Sequence, residues 1–217
     1  MKGLFDLENP LMQVLTRLAD LILLSLCFIL CCLPVVTIGP SACALFRTVF
    51  DITQERSGSV LRRFFQAFRA DLKQAFKVWL AALTGFVALF CYHLLARLYL
   101  DGAAGVAVTA VAAGLALLLT ALLAYVLPLL GRYEGPIRQH VKNAAILMVI
   151  RFPRTLAMTA MHLLPLLVLR YLPLVFLYTL LLWIVLVPGL IAQLDVYLLR
   201  PVFDYLETDD EDSSTEA

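Results

Sequence analysis

The chain has 217 residues, 62% of them hydrophobic and only 15% charged, with a formal net charge of +1. A water-soluble domain is nearer half apolar and a quarter charged, so this composition excludes an ordinary soluble fold. The small net charge hides a split between basic connections and an acidic C-terminal tail, Glu207 onward.

Met1 to Pro10 is mixed and polar, with Lys2, Asp6 and Glu8, and does not read as a cleavable signal. The first apolar run, residues 11–36, predicts a membrane-spanning helix, because about 20 apolar residues cross a hydrocarbon core of roughly 30 Å. Arg17 and Asp20 lie three residues apart on one face of that helix, near its expected outer end, and are expected to pair. Cys27, Cys31 and Cys32 in this run, like Cys43 and Cys91, match no metal or haem spacing and read as soft packing residues. Pro34, Gly39 and Pro40 end the span, and Ser41 then suits the cap of a short helix through Thr48 or beyond.

A basic connection follows. Within residues 60–72, Val60, Leu61, Phe64, Phe65, Phe68 and Leu72 recur at helical spacing, while Arg62, Arg63, Arg69 and Lys73 take the other face. This predicts an amphipathic elbow at the headgroup boundary, which either packs on the bundle or docks a partner through Phe64 and Phe68. Nucleic acid is disfavoured as a partner, because this basic stripe faces a membrane.

The second span is expected at residues 76–100, with His93, Arg97 and Asp101 forming a polar line at its outer end. Asp101-Gly102 predicts a tight turn. The third span, residues 106–130, is rich in Ala, Gly and Leu. Gly105 and Gly114 with their Ala neighbours suit close helix approach and are the candidate partner contacts. Leu127-Pro128 and Gly135-Pro136 echo Leu33-Pro34 and Gly39-Pro40, a hint of an internal helix–elbow–helix repeat.

A second elbow is expected at residues 136–152, and Pro153 starts a fourth span that reaches residue 169. His162 is its deepest polar residue, equally suited to bonding a neighbouring helix or to moving a proton. The fifth span, residues 174–199, is softened by Pro188-Gly189 and carries Gln193 and Asp195, with Arg151 or Arg154 as the expected partner of Asp195. Residues 207–217 are acidic and polar and predict a disordered tail, so the membrane domain is expected to cover residues 1–206.

Twelve of the 17 Lys and Arg residues sit on the two elbows and their flanks, while the alternate connections carry only Arg97 and Arg170. By the positive-inside rule this places the elbows in the cytoplasm. Five spans then put the N-terminus outside and the C-terminus inside. The expected fold is all-α: a polytopic transmembrane bundle of about five spans with cytoplasmic amphipathic elbow helices.

Gly3-Leu4-Phe5, Asn9-Pro10-Leu11, Arg17-Leu18-Ala19-Asp20 and Leu33-Pro34-Val35-Val36-Thr37-Ile38-Gly39 resemble the opening of YesL-family integral membrane proteins. Phe64-Phe65-Gln66-Ala67-Phe68-Arg69 with Gln74-Ala75 is similar to that family's first cytoplasmic segment, and Lys142-Asn143-Ala144 and Tyr197-Leu198-Leu199-Arg200 fit its later parts. The resemblance covers nearly the whole chain, and the acidic tail is longer than the family pattern. It implies a multi-pass protein of a bacterial plasma membrane. Members are often encoded beside carbohydrate ABC importers and two-component regulators, which implies an accessory role. The family carries no established catalytic residues to transfer.

No nucleophile with a base, carboxylate pair, metal-ligand spacing or nucleotide loop is present, so no catalytic, cofactor or metal residues are assigned and the chain is not expected to be an enzyme. The preferred reading is an accessory or scaffold protein that contacts the lipid bilayer and an ABC permease. Homo-oligomerisation stays open. The alternative is a small-solute or ion transporter with a polar path through the bundle, for which His162 and His93 are the mid-membrane candidates.

Overall fold

The computed structural model describes residues 10–54 and 58–215, and all of its regular structure is helical. In chain order come α1 (Pro10–Cys32), a 3₁₀ turn (Val35–Thr37), α2 (Ile38–Thr53), α3 (Val60–Tyr99), α4 (Gly102–Arg132), α5 (Ile137–Ile150), α6 (Phe152–Tyr171), α7 (Pro173–Tyr178), α8 (Leu180–Val185) and α9 (Val187–Thr215). Five helices are long and apolar enough to cross a membrane. Their outer surfaces carry exposed apolar side chains such as Phe90, Val106 and Leu166, which call for hydrocarbon rather than water as the solvent.

The number five agrees with the sequence, but the helices are not the same five. Val35–Thr53 qualifies, and the expected fifth span, residues 174–199, does not. That stretch is divided among α7, α8 and α9 by turns at Thr179 and Leu186. Backbone bonds still run through both, from Trp183 N to Thr179 O (3.1 Å) and from Leu190 N to Leu186 O (3.1 Å). The second break follows from Pro188, which has no N–H to give the preceding turn.

The largest departure is at the N-terminal hairpin. The chain reverses at residues 33–37, and α2 runs back beside α1. The Trp79 indole N–H of α3 donates to the Val35 carbonyl at 2.8 Å. The Thr37 hydroxyl turns to the Cys31 and Pro34 carbonyls, and the Ser41 hydroxyl donates to the Thr37 carbonyl at 2.7 Å. Ser41 thus bonds back within α2 and does not cap it. An apolar turn is tolerable at membrane depth only when its backbone groups are satisfied in this way. From Trp79, α3 continues 20 residues to Tyr99, about 30 Å at helical rise, so the α1–α2 turn stops far short of the α3–α4 turn.

Val14 and Arg17 of α1 therefore lie with Ile52 and Thr53 at the end of α2, and Asp20 stands within electrostatic reach of Arg63 in α3. The start of α1 sits at the basic end of the bundle, not opposite it. Arg17 and Asp20 correspondingly lie toward the basic end of the bundle. An impermeant thiol reagent should label Lys2→Cys and Gln54→Cys from one side and Asp101→Cys from the other, in a background without the native cysteines. Labelling of Lys2→Cys together with Asp101→Cys would restore the odd-numbered topology.

The expected elbow at residues 60–72 is not a separate helix. It is the first part of α3, a single helix of 40 residues. Phe64 is fully buried in the core and stacks with the partly buried Phe68 at 6.5 Å, so these rings are internal packing and not a partner contact. The second elbow is present as α5, and Pro153 stands in the first turn of α6. The repeat does not hold in three dimensions: Leu33-Pro34 forms a turn, whereas Leu127-Pro128 lies inside α4. The tail expected to be disordered continues α9 as helix to Thr215. No Gly or Pro after Pro201 interrupts it.

Small residues do bring helices together, but at other positions. A Cβ on Gly131 would lie 2.9 Å from the Cys43 carbonyl oxygen of α2, and one on Gly189 would lie 2.7 Å from the Leu21 carbonyl oxygen of α1. Gly102 has φ +67° and makes the expected tight turn, and a Cβ on Gly105 would meet the Leu100 carbonyl at 2.5 Å. Gly105 therefore serves the α3–α4 turn. Gly114 faces open space.

On α5, His140, Ala144 and Leu147 form the buried stripe. Burial pushes the His140 imidazole below its ordinary 6.5, so it is held neutral in the fold. The unfolded chain takes up a proton below about 6.5, so this contribution is fully present above that pH and declines as pH falls. His140→Gln should flatten the pH dependence of the melting temperature between about 6.5 and 5.

Candidate functional site

Two core-facing stripes meet at the α6–α9 seam. On α6, Thr155, Met158 and Thr159 are buried, and His162 lies one turn further along the same face. On α9, Gly189, Ala192, Asp195, Val196 and Leu199 line up. His162 Nε2 and Asp195 Oδ2 stand 3.5 Å apart, with the Asp195 side chain fully buried and that of His162 30% exposed. The structure thus joins two sequence candidates, and Asp195 meets His162 rather than Arg151 or Arg154.

Few groups in hydrocarbon are as costly as a lone carboxylate. Among the described residues, the buried side-chain polar atoms without a hydrogen-bond partner are both oxygens of Asp195, Thr159 Oγ1 and Arg154 Nη1 on α6 and α9, and His140 Nε2 on α5. Neighbouring polar groups are satisfied. The Tyr125 hydroxyl of α4 donates to Thr155 Oγ1 at 2.9 Å, and the Thr155 hydroxyl donates to the Met148 carbonyl at 2.9 Å, tying α4, α5 and α6 together. The Ser25 hydroxyl of α1 donates to the Leu21 carbonyl and accepts the Gly189 N–H at 2.9 Å.

His162 also faces a cavity of about 530 Å³ between α1, α2, α3, α4, α6 and the α7–α9 line. Ligand sites in proteins commonly have this size and an apolar lining with few polar groups. Here the lining includes six aromatic rings: Phe28, Phe46, Trp79, Phe86, Phe176 and Trp183. Phe176 and Trp183 stack at 5.4 Å, and the Trp183 indole N–H donates to Thr179 Oγ1 at 3.0 Å, which fixes that wall. Thr120 and His162 are its main polar groups.

The other sequence candidates lie elsewhere. Arg17 lines a smaller cavity of about 260 Å³ beside Gln193, two residues from Asp195. His93 borders a separate cavity of about 480 Å³ between α3 and α4, and Arg97 is exposed one turn beyond it. The aromatic lining was missed in the sequence. Its six rings come from five different helices, and each looks like an ordinary core or lipid-facing residue in isolation. All five cysteines are free thiols, and no three His, Cys, Asp or Glu side chains cluster among the described residues.

Comparison with the curated proteins and with the solved structures returns no match. Residues 18–92 match the family model described as "Protein of unknown function, DUF624", a stretch that runs from α1 through most of α3 and includes the α1–α2 hairpin.

Proposed function

We propose that the chain is a small-solute carrier of a bacterial cytoplasmic membrane, and a YesL-family protein. The match over residues 18–92 and the opening motif support the family assignment. By the positive-inside rule the basic end, with Arg63, Lys73, Arg138 and Arg151, would face the cytoplasm, together with the start of α1 beside Ile52 and the Tyr197–Pro201 stretch of α9 beside Arg154. The carrier reading rests on the aromatic cavity with His162 in its wall and Asp195 behind it at 3.5 Å, an ionisable pair within a membrane bundle beside a ligand-sized space. No catalysis is required of it.

The chain's two tryptophans, Trp79 and Trp183, both line this cavity, so intrinsic fluorescence reports occupancy. Titration of protein in nanodiscs with triphenylphosphine oxide, a neutral aromatic probe, should give a saturable change. Thr120→Phe, which fills the cavity from α4, should remove it. A wild-type signal that stays flat would rule out the cavity as a binding site.

A second reading retains the accessory role beside a carbohydrate ABC importer. It is favoured by the open space around Gly114 on an Ala-rich, outward face of α4, where a partner helix has room to approach. Gly114→Leu should then weaken capture of an importer permease by the tagged protein. Unchanged sugar uptake in a deletion strain, with no permease captured, removes this reading.

A further inference from the structure

His162 Nδ1 lies 2.9 Å from the Met158 carbonyl oxygen. A carbonyl only accepts, so Nδ1 carries the hydrogen and the Nε2 of a neutral imidazole is a bare lone pair. That lone pair would face the Asp195 carboxylate at 3.5 Å. With the carboxylate fully buried and without another partner, this arrangement is repulsive. Two arrangements are attractive: imidazolium with carboxylate, or imidazole with carboxylic acid. Each holds one proton between the two residues, and each is neutral as a pair.

We infer that the aromatic cavity binds a lipophilic organic cation, and that binding expels the proton shared by His162 and Asp195. The inference rests on the carrier reading and names its substrate class. Charge is conserved at every step. The pair loses one proton to water and becomes net −1, and the incoming cation brings +1. No covalent bond other than the N–H or O–H is broken. Trp79, Trp183 and the Phe rings line the cavity with faces that attract a cation, and Asp195, 3.5 Å behind the cavity-lining His162, supplies the counter-charge. A neutral solute would leave the pair protonated.

The ionisable surroundings favour this assignment. From α6 and its start come His162, Arg154 and Arg151, and from α4 comes Tyr125, which feels Arg154, Arg151 and Asp195 together. From α1 come Arg17 beside Gln193 and the buried Cys27 thiol. Among the buried ionisable groups α2 presents only the Cys43 thiol, and α8 carries none. No other buried carboxylate is available to balance a cation among the described residues.

The test uses the full chain in nanodiscs with tetraphenylphosphonium as the cation and triphenylphosphine oxide as the neutral control. Tryptophan fluorescence should give a cation Kd that falls about tenfold per unit rise in pH, with about one proton released per cation bound in weakly buffered solution. The neutral probe should bind with no pH dependence and no proton release. Asp195→Asn should weaken the cation and abolish its proton release while leaving the neutral probe unaffected. Should that variant fail to fold, calorimetry of the wild type in buffers of different ionisation enthalpy counts the protons directly. Binding of both probes without proton release would overturn this inference and leave the carrier reading intact. Binding of neither would overturn both.

Discussion

Gly189→Val should be strongly damaging to the bundle. Its Cβ would lie 2.7 Å from both the Leu21 carbonyl oxygen and Ser25 Oγ, with Leu21 backbone that cannot swing aside. The change also threatens the Ser25 bond that satisfies the Gly189 N–H, a group left spare by the turn before Pro188. Separating α1 from α9 at this point loses packing and leaves a buried donor without a partner, together about 3 kcal/mol or more. Thermal melts in detergent should show a large drop, or no folded protein. Gly114→Leu, which meets open space, should stay within about 0.5 kcal/mol of wild type. Equal damage from the two would mean that α1 and α9 do not pack as described.

Asp195→Leu should do the opposite: raise stability while eliminating function. The carboxylate is fully buried and neither oxygen has a hydrogen-bond partner. It contributes little to cohesion, and leucine fits the surroundings of Ala192, Val196 and Leu199. Replacing buried ionic groups by apolar ones of similar size stabilises by about 1–3 kcal/mol in favourable cases. A higher melting temperature together with lost cation binding would be the signature of a group retained for function. A lower melting temperature would mean that Asp195 is structural.

The parts of the fold that were legible in the sequence are those with local chemical markers. Asp101-Gly102 announced the α3–α4 turn, Pro136 the start of α5, and Pro153 the start of α6, because proline and glycine act on the backbone where they stand. At the α1–α2 reversal Pro34 marked the end of α1, but nothing local showed that the chain turns back there as a second long apolar helix. The turn's residues are as apolar as the helices that they join, and its carbonyl partner, Trp79, is 44 positions away. The merging of elbow and span into α3 was obscured by charge. The change from Lys77 to Val78 marks where the helix meets lipid, not where it ends, and no proline lies between Val60 and Tyr99.

The candidate site was legible by halves. His162 and Asp195 both stood out as ionisable groups in apolar runs, and each falls on the buried stripe of its helix. Their meeting did not, because it depends on how α6 and α9 cross. His140 was passed over although its spacing from Ala144 and Leu147 places it on the buried face of α5. Gly105 and Gly114 drew notice through composition, whereas the close approaches between helices fall to Gly39, Gly131 and Gly189. Contact partners, not residue type, decide which glycine matters.

The hairpin has a consequence for how the protein is made. α1 and α2 are synthesised first, yet α2 is largely enclosed by α3, α4 and α9, which emerge later. The Val35 carbonyl obtains its partner only when Trp79 arrives, and the Gly189 N–H obtains its own only when α9 reaches Ser25. During translation the nascent hairpin therefore waits at the membrane with its turn unsealed, and the last third of the chain closes it. The first and last helices can therefore be locked together only once α9 has been made.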